Sequence, residues 1–300
     1  MTEKIYNGRE PEDGGADEYG ELYGSGSPFA YRPGAQIMTD RTYGERGVTV
    51  KYMRYCCNKG IINAYDNELL MQVYRSRYMN ARMLKRIFDG RTERSVKRCI
   101  HKLVKDGFLK RQYMAYAGGL VSPYFYSVTR GVSDYYSSLG FSSVRADSGT
   151  VTAMKLLATG QFRAALLSCP SFGFMSEDFS TVASIGDYRA NLGWTGKISC
   201  RGRDFRFAPV AVRGDDFSAD MLLSPLKERF CLSSANEMVL PVVICEDEIK
   251  LAAAAKAVST DQRLTDRTVL YVSDGTLTED DAFSHLITYR EGRFFRTSFA

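Results

Sequence analysis

Apolar positions recur with helical spacing in three consecutive stretches of the first half of the chain, which predicts three helices. The first covers Asp66–Arg77. Asn80 can cap the second, and Asp89-Gly90 ends it because glycine readily adopts the left-handed conformation of helix termini. Thr92 opens the third helix, Glu93–Lys105, whose apolar side chains form one stripe of the helical wheel.

After these helices the apolar period changes to the alternation that is typical of strands. Phe108–Tyr113 and Pro123–Val128 are predicted strands, and Ala117-Gly118-Gly119 is the turn between them. Three helices followed by a hairpin predict a winged helix-turn-helix domain over residues 66–145. Residues 31–65 are interpreted as a lead-in segment, in which Val48–Arg54 has the pattern of a strand.

The second half alternates between helical and strand patterns, which predicts an α/β domain over residues 150–300. Its predicted strands are Asp204–Val212, Glu237–Cys245 and Thr268–Val272. Its predicted helices are Thr150–Ser168, Asp247–Ser259 and Thr278–Leu286. The fold class is therefore α+β or α/β with two domains, the second built on a small, partly parallel sheet. We expect this second domain to serve assembly or partner binding.

The first thirty residues have a different composition, rich in Gly, Ser and Pro. They contain seven acidic and two basic residues. So few apolar side chains cannot offset the entropy of ordering the chain. We predict a disordered, acidic, glycine-rich tail over residues 1–30.

Charge is concentrated in the predicted helix-turn-helix. Thirteen basic and three acidic residues lie between Arg75 and Arg111, a net charge of +10 where the whole chain carries +5. On the wheel of the third helix, Val96, Ile100 and Leu103 cluster on one side and the opposite side is cationic. Such polarisation is typical of a surface that binds nucleic acid.

The second helix of a helix-turn-helix enters the major groove of DNA with its first residues nearest the bases. Arg94, Ser95 and Arg98 are therefore candidates for base contacts, since arginine can donate two hydrogen bonds to guanine. Surrounding cations and the wing, with its tip at Tyr116–Leu120 along the minor groove, are expected to contact the backbone. The candidate DNA-binding residues are Arg82, Arg91, Thr92, Arg94, Ser95, Lys97, Arg98, His101, Lys102, Lys110, Arg111 and Tyr116.

Two alternative functions remain open from the sequence. The same element order also occurs in winged helices that dock proteins, so an interaction scaffold is one alternative. A metal-dependent DNA nuclease is the other, because Glu246-Asp247-Glu248-x-Lys250 contains an acidic–x–Lys triplet and Asp215 or Asp220 precedes it. Glu248 and Lys250 fit the start of the following alanine-rich helix better than a core strand, which disfavours the nuclease.

The residues that zinc binding, ATP hydrolysis or DNA nicking would require are not found in the sequence. Seven cysteines without a C-x-x-C pair and only two histidines give no zinc site of the usual spacing, and the cysteines are interpreted as reduced core thiols. No glycine-rich phosphate loop with its lysine is present, and a histidine cluster for a DNA-nicking relaxase is absent. We expect no catalytic site, cofactor or metal. Because no signal peptide or membrane-spanning run is recognisable, the expected location is the cytoplasm, without a membrane partner.

Residues 66–136 resemble the plasmid replication-relaxation family of winged-helix proteins. The resemblance is carried by Asn67–Arg75 with Ala81–Leu84, by Arg94–Leu103 with Asp106–Leu109, and by Pro123–Thr129. It extends more loosely to the strands at 241–247 and 268–274. It implies a role on mobile DNA, in plasmid replication, conjugative mobilisation or its transcriptional control, with relaxase or replication proteins as partners. A homodimer would read two half-sites one helical turn apart.

Overall fold

The computed structural model contains both helices and strands in each half of the chain. It describes residues 27, 29–42, 47–144, 149–170, 172–185, 188–200, 202–214, 219–232, 238–264 and 266–297. The predicted disordered tail therefore lies outside the described residues except at its end. There the prediction is wrong, because Ser27 and Phe29 are buried.

The first half combines five helices and a four-stranded antiparallel sheet of order β1-β3-β4-β2 within the described residues. The helices are α1 (Val50–Asn58), α2 (Ala64–Ser76), α3 (Ala81–Ile87), α4 (Glu93–Lys105) and α5 (Arg130–Ser138). The strands are β1 (Gln36–Thr39), β2 (Met79–Asn80), β3 (Leu109–Ala115) and β4 (Phe125–Val128). Helices α2, α3 and α4 and the β3–β4 hairpin occupy the positions predicted from the apolar pattern.

The segment before residue 66 is part of this fold and is not a lead-in. β1 pairs antiparallel with β3, so the predicted two-stranded hairpin has a third strand on its outer edge. Val48–Arg54 was expected to be a strand, but Thr49 caps helix α1, which buries Met53 and Cys56 one turn apart. Gly131 of α5 permits the close approach of α1, since a Cβ there would lie 1.9 Å from the carbonyl oxygen of Val48.

The second half is built on a seven-stranded sheet of order β11-β10-β9-β8-β7-β6-β5. Its strands are β5 (Gly173–Ile185), β6 (Tyr188–Cys200), β7 (Arg203–Ala211), β8 (Met238–Cys245), β9 (Leu270–Ser273), β10 (Ile287–Arg290) and β11 (Arg293–Arg296). Its helices are α6 (Thr150–Leu167), α7 (Ser224–Phe230), α8 (Glu248–Ser259) and α9 (Asp274–Leu277).

The sheet is partly parallel, as predicted, because β7, β8 and β9 are parallel neighbours. It is not small, since the sequence pattern missed the long β5–β6 hairpin and the β10–β11 hairpin. The predicted helix Thr278–Leu286 is also wrong. Ser273 caps the short α9 instead, and a single 3-10 turn follows at Ala282–His285.

Helix α6 belongs to the cores of both halves, so the two predicted domains do not have independent cores. Met154 and Leu157 pack with the side chains of α2–α4, whereas Phe162 and Leu166 pack against the seven-stranded sheet. The segment around Phe29 also bridges the halves, because the Ser27 hydroxyl donates to Asp274 and the Tyr31 amide donates to Glu246. The Phe29 ring itself packs in the core of the first half, edge-on to Phe125 of β4 at a centroid distance of 6.2 Å.

Two expectations from the sequence concern the cysteines, interpreted as core thiols, and the absence of a membrane-spanning segment. Cys56, Cys99, Cys200 and Cys245 are buried thiols, but Cys231 is exposed, so not every cysteine lies in a core. None of the helices among the described residues has the length and apolar composition needed to cross a bilayer.

Candidate nucleic-acid interface

Helix α4 presents two chemically opposite faces. The Thr92 side chain accepts a hydrogen bond from the Ser95 amide and so caps the first turn. Val96, Ile100 and Leu103 are buried against the neighbouring helices, which fixes the rotation of the helix about its axis. The exposed side chains of α4 are Glu93, Arg94, Lys97, Arg98, His101 and Lys105, so the outward face carries one acidic and four basic residues together with a histidine.

Arg94 and Arg98 lie one turn apart at the start of this outward face. Both are exposed, and neither forms an ion pair with a carboxylate of any residue that the structure describes. Lys97 pairs with Glu93 at 2.9 Å, but both side chains are more than half exposed. The Arg91 guanidinium lies 4.8 Å from the centroid of the Tyr65 ring, at the entrance to the helix. The predicted base-contacting and adjacent backbone-contacting groups therefore share one accessible surface.

Lys102 was predicted to contact phosphate, and its position contradicts this. Its Nζ lies 2.6 Å from Oδ2 of the buried Asp66 and donates to the carbonyl oxygen of Ile61 at 3.0 Å. The Cys99 thiol donates to the other carboxylate oxygen of Asp66, and burial together with that carboxylate raises the pKa of Cys99. Lys102 thus neutralises a buried charge and fastens α4 to α2.

Lys102 and Lys105 provide a matched test on one helix. Replacing Lys102 by alanine is expected to lower the free energy of unfolding by about 2–3 kcal/mol, because Asp66 loses its counter-charge. Replacing Lys105 by alanine should change it by no more than about 0.5 kcal/mol, since that side chain is exposed. Urea unfolding of both variants measures the difference, and equal stabilities would contradict the structural role of Lys102.

The hairpin leaves fewer of its predicted DNA-binding side chains accessible than the sequence suggested. Arg111 lies against Asp40 and stacks on the ring of Tyr124 at 4.6 Å, so its guanidinium is engaged within the protein. Burial raises the pKa of Asp40, but hydrogen bonds from Thr42 and the Arg111 charge outweigh it and hold that pKa below its ordinary value. Tyr116 was placed at the tip but is only 6% exposed. The exposed residues here are Lys110, the turn Ala117–Gly119, Val121 and Tyr124.

Helix α3 is fastened to the second half through its arginines, one of which, Arg82, was predicted to contact DNA. Arg82 donates a hydrogen bond of 2.7 Å to the carbonyl oxygen of Thr278. Arg86 donates to the carbonyl oxygens of Leu277 and Glu279, and burial lowers its pKa. These bonds orient the helix that packs beside α4, so the Arg82 guanidinium, although exposed, is engaged within the protein.

The residues of the nuclease alternative do not assemble on a core strand. Glu246 follows β8, is buried and pairs with Lys250, while Asp247 caps α8 by accepting from the Lys250 amide at 2.8 Å. Glu248 lies in the first turn of α8, as expected. Asp215 is outside the described residues, as is the side chain of Asp220. The triplet therefore stabilises the start of a helix.

One surface histidine lies among carboxylates in the second half. Nε2 of His285 is 3.2 Å from Asp281 and 3.5 Å from Glu279, and the three side chains could together hold a metal ion. Both acidic side chains are exposed, and exposed groups of this kind are common in proteins without a metal. We therefore assign this cluster no role in the interface.

One basic surface of the first half was not predicted from the sequence. Helix α1 was read as a strand, so its exposed Lys51, Tyr52, Arg54 and Tyr55 were not considered together. The repetition of a cation and a tyrosine every three residues is the signal that could have revealed them.

Comparisons with known proteins give no relative: no family model matches the chain, and no curated protein or solved structure matches it significantly.

Proposed function

We propose that the chain is a non-catalytic factor that binds double-stranded DNA, with α2–α4 and the β3–β4 hairpin acting as a winged helix-turn-helix. One observation carries the proposal. The outward face of α4 is polar and predominantly cationic, with Glu93 paired to Lys97, and Arg94 and Arg98 on it have no described carboxylate as partner. A helix of this kind matches the negative potential and the width of the major groove.

In the proposed complex, Arg94, Ser95 and Arg98 contact base edges, because they lie in the first two turns of α4. Backbone contacts come from the exposed cations around them, and these are Arg91, Lys97, Lys105 and Lys110. His101 lies on the same face, and Thr92 presents the start of the helix. The exposed glycine turn at Ala117–Gly119 is the part of the wing that can approach the minor groove closely.

The biological setting follows from the resemblance of residues 66–136 to the replication-relaxation family. We propose that the protein acts in plasmid or mobile-element replication, in mobilisation, or in the transcriptional control of these processes. Relaxase or replication proteins are the proposed partners. The second half of the chain is proposed to bind them. Genes for a relaxase, coupling protein or replication initiator beside the gene of this protein would support this setting.

The function is tested by selecting binding sites from a pool of random-sequence duplexes and measuring the affinity of the selected site against a scrambled duplex. We expect the double variant R94A/R98A to lose the preference for the selected site by about 10- to 100-fold per arginine. Affinity for any duplex should fall steeply with salt concentration.

The matched control is K256A/R263A, which removes two exposed cations from the second half. This variant should bind the selected site as the wild type does. Unchanged site preference in R94A/R98A would refute the role of α4. Retention of no duplex by the wild type at low salt would refute DNA binding altogether and favour an interaction scaffold.

A further inference from the structure

Helix α1 presents an outward surface of cations and tyrosines that the proposed α4 interface does not include. Its exposed side chains are Lys51, Tyr52, Arg54, Tyr55, Asn58 and Lys59. They cover nearly half of the helical wheel, opposite the buried Met53 and Cys56. The sequence contains no acidic residue between positions 47 and 65, so nothing within this helix neutralises the surface.

The cations of α1 are accessible to a ligand. Lys51, Arg54 and Lys59 are exposed, and none of them forms an ion pair with a carboxylate in the part of the chain that the structure describes. This distinguishes them from Lys102 and Arg111, whose charges are used inside the fold. A surface with three such cations and no carboxylate is suited to a polyanion.

The tyrosines form an ordered stack that ends in solvent. The ring of Tyr52 lies parallel to that of the buried Phe108, with 6.2 Å between centroids and 5° between planes. Tyr55 stacks on Tyr52 with 6.5 Å between the ring centroids, and Tyr55 is 51% exposed. Stacking holds both phenol groups beside the cations, where their hydroxyls can donate to phosphate.

The surface of α1 adjoins the C-terminal end of α4. Phe108, on which Tyr52 stacks, follows the last turn of α4 by three residues. On the other side, Lys102 of α4 donates to the carbonyl oxygen of Ile61, just beyond α1. Since the thirteen residues of α4 span about 20 Å, the α1 surface lies that far from the base-contacting end.

We propose that the outward surface of α1 is a second DNA contact, which binds the phosphate backbone of duplex flanking the bases that α4 reads. This inference rests on the proposed function. A distance of about 20 Å corresponds to about six base pairs of duplex, so the proposal requires the two surfaces to face the same DNA molecule. Contacts of this kind add affinity and salt dependence without sequence preference.

The test compares wild type, K51A/R54A and the control K256A/R263A on a mixed-sequence duplex of about 30 base pairs over a range of salt concentrations. We expect K51A/R54A to reduce the slope of log K against log salt by about 1.8, since each lost phosphate contact accounts for about 0.9. The control removes the same charge and should keep the wild-type slope. All four substituted side chains are exposed, so thermal unfolding should show unchanged stability.

A second readout locates the contact. Hydroxyl-radical footprinting on the selected site should show protection on one flank for the wild type, lost in K51A/R54A while the central protection persists. If the wild type binds duplex but K51A/R54A has the same slope and footprint, the α1 contact is refuted and the proposed function stands. If the wild type binds no duplex, the proposed function itself fails.

Single-stranded DNA is the competing ligand, because bases stack on exposed aromatic rings. Y55A and Y55F separate the two ligands. Loss of affinity for an oligothymidine in Y55A, with rescue in Y55F and unchanged duplex binding in both, would overturn the duplex contact in favour of unpaired bases. Unchanged oligothymidine binding in Y55A, together with the reduced duplex slope of K51A/R54A, supports the proposal.

Discussion

Replacing Arg213 by methionine is expected to lower the free energy of unfolding by about 3–5 kcal/mol at neutral pH. Arg213 and Asp274 pair at 2.7 Å, and neither side chain is exposed to solvent. They lie at the carboxyl ends of the parallel strands β7 and β9. Without Arg213, the carboxylate of Asp274 retains the hydroxyl of Ser27 as a donor but has lost the adjacent charge.

Urea unfolding of three variants tests this prediction. The double variant R213M/D274L replaces the ion pair by apolar groups and should recover much of the stability lost in R213M, because no buried charge is left unpaired. D274L alone leaves the guanidinium unpaired and should be about as destabilising as R213M. If R213M lowered the free energy of unfolding by less than about 1 kcal/mol, the ion pair would contribute little to the stability of the protein.

Replacing Arg163 by methionine should also cost about 3–5 kcal/mol, because this side chain is 1% exposed and connects the two halves. Arg163 of α6 pairs with Glu177 of β5 and donates to Gln72 and Ser76 of α2. Trp194 donates to the same carboxylate at 2.9 Å. Loss of the guanidinium leaves Glu177 with one donor and leaves the acceptor of Gln72 without its partner.

The lysine variant R163K separates charge from geometry. It retains a cation but cannot donate simultaneously to Glu177, Gln72 and Ser76, so we expect a loss intermediate between R163M and the wild type. R290M is the matched control, since Arg290 is an exposed arginine of β10 and its replacement should change stability by at most about 0.5 kcal/mol. Equal unfolding midpoints for R163M and R290M would contradict the connecting role.

Helix α4 could be predicted to the residue because everything that defines it is local. Thr92 caps it, its apolar stripe is regular, and Asp106-Gly107 ends it. The partners of its basic side chains could not be predicted from the sequence of the helix itself. Lys102 is used by Asp66, which lies 36 residues earlier on a different helix, and no periodicity within α4 reveals that pairing.

Tertiary packing explains the other errors. Val48–Arg54 has strand-like alternation, but burial of Met53 and Cys56 against α5 selects the helix. The β5–β6 hairpin escaped notice because its strands carry many polar residues and its register shifts at several points, which weakens the alternation. Phe29 lies at the end of a glycine-rich stretch, and it is buried because it packs against residues far along the chain, such as Phe125.

The sharing of α6 between the two cores has a mechanical consequence. A hinge motion between the halves would disrupt the packing around either Leu157 or Phe162. The α/β half is therefore expected to move together with the helices of the first half, including α4. In the proposed complex with DNA, the edge strands β5 and β11 would therefore lie at fixed positions relative to α4. A protein that bound either edge strand would then lie at a fixed distance from the DNA sequence that α4 contacts in the proposed complex.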